Sequence, residues 1–380
     1  MSKHIYYSQN KNIDEVINEI KEKFKNLSNN VMLYFISIEY NQKEFAYKLK
    51  KEFINSNVIG CSTAGEIADG KLLSGSVVVK SLNNNLLYDN HVIPIKNMDE
   101  FINHKIKRSC VEFRNYFKED IHFSKSNNYV GVVLLDGLSY KTDKLIEKLS
   151  FNSNIVFVGG SAGDNLEFDK TFVHCNGDVY DNGAVLLLIK PKVNFDIIKH
   201  QHFEILNKEF HVTKADPESR IIYSLNRRPA AIEYAKSIGK PLHETEKYFM
   251  EHPFGLVINN NEPYVRSLKK INFDDCSIEC YSSVPEGVEL NLMKGKRINI
   301  NQNNDGLLEY FSTEFNSVSD PMFMIAFNCF HRRLFHKKIN DLEDYKKIFS
   351  YVPTIGFDTY GEEYLSHINQ SLTALILGKN

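Results

Sequence analysis

Twice in its first half the chain repeats one order: an apolar run, a stretch of helical spacing, a second apolar run, and a turn of small residues. VMLYFISI (31–38) leads through helical spacing over 42–53 to VIGCSTAGE (58–66). YVGVVLL (129–135) leads through helical spacing over 141–149 to IVFVGGSAGDN (155–165). Unbroken apolar runs of this length, bounded by turn residues, predict strands buried on both faces. A strand-helix-strand order then predicts an α/β layer architecture. The weak similarity of the two units points to two related halves within one domain.

The 380 residues exceed what one core usually fills, so two domains are expected. Ahead of the first strand, Ile13, Val16, Ile17, Ile20, Phe24 and Leu27 recur at helical spacing. Past about residue 216 the texture shifts to short strand-like pieces (GLVI, YVRSL, SIECYSSV, RINI). A second α/β block closes the chain: MFMIAFNCF, helical spacing over 341–349, and an apolar run over 371–377. The expected architecture is α/β, two domains of mixed β-sheets flanked by helices. It divides into an N-terminal helix (1–27) packing on a first domain (28–217), followed by a second domain (218–380).

With 46 basic and 48 acidic residues the net charge is −2, which removes the electrostatic case for nucleic acid. No run approaches the roughly 18 apolar residues of a membrane span, and MSKHIYYSQNKN lacks the apolar core of a signal peptide, so a cytoplasmic protein is expected. Six scattered cysteines should then be reduced. Cys276 and Cys280 form one CxxxC pair without a second pair at zinc spacing, and no CxxCH is present for covalent haem.

GCSTAGE (60–66) and GGSAGDN (159–165) follow apolar runs, and small residues there let backbone approach a ligand closely. Neither matches GxGxxG, a phosphate loop or the GxSxG elbow. Gly60, Ser62, Thr63, Gly65, Gly160, Ser161 and Gly163 are candidate ligand-binding positions, with Tyr360 beside them from TYGEE. Together, IGCSTAGEI and FVGGSAGDNLEF resemble two signature stretches of the FIST sensory family. The likeness continues through KHQHFEILNKEFHVTKADPESR, YVRSL, FNCFHRRLF and GFDTYGEEYLSHINQSLTALILG, and so covers the chain from Val31 onward. The first domain is thus similar to FIST N and the second to FIST C. The branch it resembles most is the haem-binding, nitric-oxide-sensing (NosP-type) one, with Ser371 and His331 as departures from that pattern.

This resemblance implies a bacterial-type cytoplasmic sensor that carries haem b, binds nitric oxide or another diatomic gas, and is not an enzyme. Its output would pass in trans to a separate signalling protein such as a histidine kinase or a cyclic-dinucleotide enzyme; a homodimer is allowed. A non-covalent haem needs an axial ligand, most often imidazole, and cations for its propionates. Of 13 histidines, His4, His91, His104, His122 and His243 lie in polar sequence. His367, in the most FIST-like stretch, is the first choice for the iron. His200 or His202, two apart on an expected strand, is the second. His331 follows, with Arg332, Arg333 and Arg266 as candidate cofactor contacts and Glu362 as an internal partner for the paired arginines.

One alternative is a FIST receptor for an amino acid or another small carboxylate, gripped by the paired arginines. Another is a hydrolase or transferase with Cys61 or Ser161 as nucleophile.

Overall fold

The computed structural model describes residues 5–27, 29–119, 128–258, 263–298 and 317–379; His4 and His122 lie outside them. Both repeated units form as expected. Strands Asn29–Ser37 and Asn57–Thr63 are parallel neighbours joined by helix Gln42–Glu52. Val130–Leu135 and Phe157–Ser161 are parallel neighbours joined by helix Thr142–Asn152.

Each parallel pair sits inside a mixed six-stranded sheet. The first sheet is completed by Ile5–Ser8, Val77–Asn83, Val173–Cys175 and Asp178–Tyr180, and the second by Leu87–Ile95, Ala184–Pro191, Glu362–Tyr364 and Ser366–Ile368. Helix Ile13–Phe24 starts at Asn12, whose side chain accepts from the Asp14 and Glu15 amides. Ile13, Val16, Ile17, Ile20 and Phe24 of its apolar stripe are buried, packing with Phe45 and Leu49 over one face of the first sheet. Helices Ile102–Phe117 and Thr142–Asn152 cover the outer face of the second.

A third sheet has the order Asn194–Gln201, Ser371–Lys379, Asp320–Cys329, Thr354–Thr359, Glu66–Ala68, Lys71–Leu73. It joins the end of the chain to a segment beside the first glycine-rich turn. Phe35, Val132, Val158, Phe327, Phe357 and Leu375 from all three sheets meet in one core. Residues 203–295 build a separate eight-stranded sheet, whose core packs against helix Ala230–Ile238. That helix ends at Gly239 in the left-handed region (φ 65°), the usual helix stop. Asp216 and Ile221, on either side of the expected domain division, pair across one hairpin of this sheet.

His331, Arg332 and Arg333 follow the end of a strand: Asp320–Cys329 is the strand, and Phe330–Lys338 continues directly from it as a helix.

Candidate functional site

Ligands in open α/β sheets bind beyond the carboxyl ends of parallel strands. Here Leu135 and Ser161 end the second parallel pair, and a cavity of about 430 Å³ opens past Leu135 against the eight-stranded sheet. Its walls are aromatic and apolar, from Leu138, Tyr140, Phe168, Tyr281 and Tyr360. Arg220, Lys269 and His367 supply its polar groups, and Gly137 and Cys280 complete it. The size falls within the roughly 300–1,000 Å³ of small-molecule and cofactor sites.

His367 owes its place to a tight hairpin. Glu362–Tyr364 and Ser366–Ile368 pair antiparallel around Leu365, setting Glu363 directly opposite His367. Directly opposed side chains share a face of the sheet. Glu363 Oε1 therefore meets His367 Nδ1 at 2.9 Å and also accepts from Ser161 Oγ at 3.0 Å. Glu363 is fully buried and His367 is 3% exposed. The carboxylate fixes the ring through Nδ1 and leaves Nε2 as the nitrogen to meet a ligand.

Tyr360 donates its hydroxyl to Asp164 and accepts from the Leu166 amide at 3.0 Å, while its ring stacks on Phe168 with centroids 4.5 Å apart. Burial, then the bond to Asp164, push the phenol up, so it stays a donor. Arg220 stands on the opposite wall in an ion pair with Asp143 (2.7 Å) and donates to Thr142 Oγ1 at 2.7 Å. Burial works to raise the Asp143 carboxyl, but His367 and Arg220 outweigh it and hold it low. Lys269 bonds Glu279 at 2.7 Å, which keeps its ammonium charged against the opposing effect of burial.

The other expected site residues lie elsewhere. The two glycine-rich turns pack on each other, with the Gly163 amide donating to Ser62 O at 3.1 Å. Ser62 Oγ accepts from the Phe172 amide at 2.9 Å, and Thr63 bonds Glu66. Gly60 and Gly160 lie mid-strand against Tyr34 and Thr359. Arg333 pairs with Asp358 at 2.7 Å, not with Glu362, and donates to Leu73 O at 2.9 Å; the pair fills the space that a Cβ on Gly65 would take. Arg332 turns the other way, to His200 O at 2.9 Å. The paired arginines therefore do not form one grip. His200 and His202 gather around Arg332 and His336, and His331 packs on Phe330 and Tyr281 with its pKa lowered by burial to about 3. Arg266 is buried and donates to Ser283 O at 3.1 Å.

The hydrolase geometry does not form at the two expected nucleophiles. Ser161 donates to Glu363 rather than to an imidazole, and burial holds the Cys61 thiol well above its ordinary range. Cys280 is likewise pushed up to about 12. Among the described residues no three His, Cys, Asp or Glu side chains are placed to hold a metal ion, whereas a haem iron needs only one. Among the same residues no helix is long and apolar enough to cross a membrane.

Sequence reasoning missed Glu363, Arg220, Lys269 and Tyr281. Only Glu363 carried a local signal, four residues before His367 across a turn.

A buried imidazole fixed by a carboxylate, in an aromatic cavity with two cations, defines a protein built to bind a small ligand. This chain belongs to the FIST family: the FIST N domain is matched over residues 30–228 and the FIST C domain over 230–364. FIST domains are small-ligand sensors of signal transduction. The chain is 25% identical over 302 residues to the uncharacterized protein MJ1623 of Methanocaldococcus jannaschii, covering 74% of this chain and 56% of that protein. It thus spans little more than half the length of that relative. Among solved structures, PurLQS from Thermotoga maritima aligns over 99% of this chain and 72% of its own with 9% identity and a TM-score of 0.19, which carries no structural argument.

Proposed function

We propose that the protein is a haem-based sensor of nitric oxide or another diatomic gas, with His367 as the residue that would hold the haem, acting from the cytoplasm on a separate signalling protein. The observation that carries this reading is the Glu363–His367 pair at the wall of the aromatic cavity. The residues present fit the group: one oriented imidazole, planar aromatic walls, and Arg220 and Lys269 for two propionates. Haem, when bound, supplies the iron that takes up the gas. The chain's own part is to orient the imidazole through Glu363 and to exclude water with Phe168, Tyr281 and Tyr360. Ser161 links the pair to the glycine-rich turns, through its hydroxyl to Glu363 and its backbone to Gly361 and Tyr360. A ligation change at His367 would bias that junction and so the surface offered to the partner.

The test is haem titration of the full chain. A saturable Soret band that shifts with nitric oxide in the ferrous form, and is lost in His367→Leu, is expected. A spectrum that stays that of free haemin overturns the haem reading. A small carboxylate held by Arg220 and Lys269 in the same cavity then takes its place.

A further inference from the structure

Arg332 is completely buried, yet no carboxylate pairs with it among the described residues. A guanidinium does not lose its proton in a protein, so this charge is carried into the interior. Removing such a charge from water costs several kcal/mol unless a counter-charge meets it. Its contacts among the described residues are few. Nη1 donates to His200 O at 2.9 Å, and Nη1 and Nη2 approach His200 Nδ1 at 3.5 Å, the limit of a hydrogen bond. Nε has no partner. The Tyr345 ring lies 5.7 Å from the guanidinium carbon.

The surroundings share the same want. His202 is 4% exposed and neither ring nitrogen is bonded. His336, fully buried, packs beside it with centroids 4.8 Å apart and spends Nδ1 on Asp341 at 3.2 Å, leaving Nε2 unbonded. Asp341 is the carboxylate of this cluster, and it is committed to His336 and to the Ile298 amide. Arg332 therefore sees it only across an imidazole. A cation is excluded from this place by the guanidinium itself.

We infer that the Arg332–His202–His336 cluster is a second binding site, separate from the His367 cavity, that takes the carboxylate of a small acid. The unbonded edge of Arg332 decides the class. Nε and Nη2 lie on the same side of the guanidinium and present two parallel N–H groups, the fork that matches a carboxylate bidentately. A neutral His202, packed on His336, carries one further unspent N–H in the same cluster. The inference is independent of haem and is tested in haem-free protein.

The full chain in chloride buffer is melted against rising sodium acetate or sodium formate at constant ionic strength. A ligand that binds only the folded state raises Tm saturably. The wild type is expected to show that rise. Arg332→Lys keeps the charge but loses the fork, and should weaken the apparent acetate Kd at least tenfold. Arg332→Met should show no acetate response and melt in chloride at or above the wild type, because the unpaired charge is gone. A wild-type Tm that follows ionic strength alone overturns the site. So does an acetate response that survives in Arg332→Met. An Arg332→Lys response equal to the wild type's also removes the bidentate carboxylate, even where Arg332→Met fails to fold.

Discussion

Glu363 and His367 face each other across a hairpin closed by Leu365 alone, and the fully buried carboxylate holds the ring nitrogen at 2.9 Å. Glu363→Gln keeps an oxygen in the same place but removes the charge that makes the imidazole a strong ligand. Haem affinity should fall about 10–100-fold, as for other outer-shell partners of ligating histidines. Stability should hold, since a buried charge is lost rather than created. Parallel haem titration and urea melts check both halves; unchanged affinity would deny Glu363 its positioning role.

Gly65 and Gly163 test the contact between the glycine-rich turns. A Cβ on Gly65 would lie 2.5 Å from Arg333 Nη1 and 2.6 Å from Asp358 Oδ2, both side-chain ends. On Gly163 it would lie 2.6 Å from the backbone nitrogen of Ala64, which cannot swing away. Gly163→Ala should therefore cost about 1–3 kcal/mol, as overpacking does, and Gly65→Ala more, because its φ of 158° is one that L side chains rarely adopt and the added Cβ would also push apart the Arg333–Asp358 pair. Urea unfolding of the two variants gives the order, and the reverse order would contradict this account.

The strands around these turns were legible in sequence because their burial on both faces writes unbroken apolar runs. The site was legible only in part. His367 and Tyr360 stood out through the family likeness, but nothing in the sequence marked the hairpin around Leu365, so Glu363 opposite His367 went unseen. Arg220, Lys269 and Tyr281 reach the cavity from a different sheet, and no local pattern records such a meeting. The Arg333–Asp358 pair was missed for the same reason: both are fixed by how strand Thr354–Thr359 lies beside helix Phe330–Lys338.

Asp164 holds the Phe168 wall of the cavity in place. Its carboxylate accepts from the Phe168, Asp169 and Lys170 amides at 2.7–2.9 Å and from the Tyr360 hydroxyl. These bonds keep Asn165, Leu166 and Phe168 in the left-handed region (φ 56°, 69° and 55°), which costs each non-glycine residue on the order of 1 kcal/mol or more. Asp164→Ala orphans the donors and lets the loop relax. Hydrogen exchange at residues 168–170 should quicken at least tenfold, and haem or any cavity ligand should bind more weakly. Unaltered exchange would show that the loop is held by other means.

Glu362, next along the hairpin, carries the pH dependence. It is fully buried, accepting from Thr359 Oγ1 at 2.5 Å and from the Ser371 amide at 2.9 Å, and burial outweighs these bonds to raise its pKa from 4.5 to about 8. The folded state therefore binds a proton that the unfolded chain has already released between those two values. Stability contributed by this group is present in full below about 4.5 and is lost as pH rises toward 8, at up to about 1.4 kcal/mol per pH step. Glu362→Gln imitates the protonated acid, its amide donating to Thr359 and its oxygen accepting from Ser371. The variant should match the wild type near pH 5 and exceed it at pH 8, with a flatter profile between. Urea midpoints across that range make the comparison. A wild-type profile that is flat, or a variant less stable at pH 8, would mean that Glu362 is ionised in the fold and that its hydrogen bonds outweigh burial.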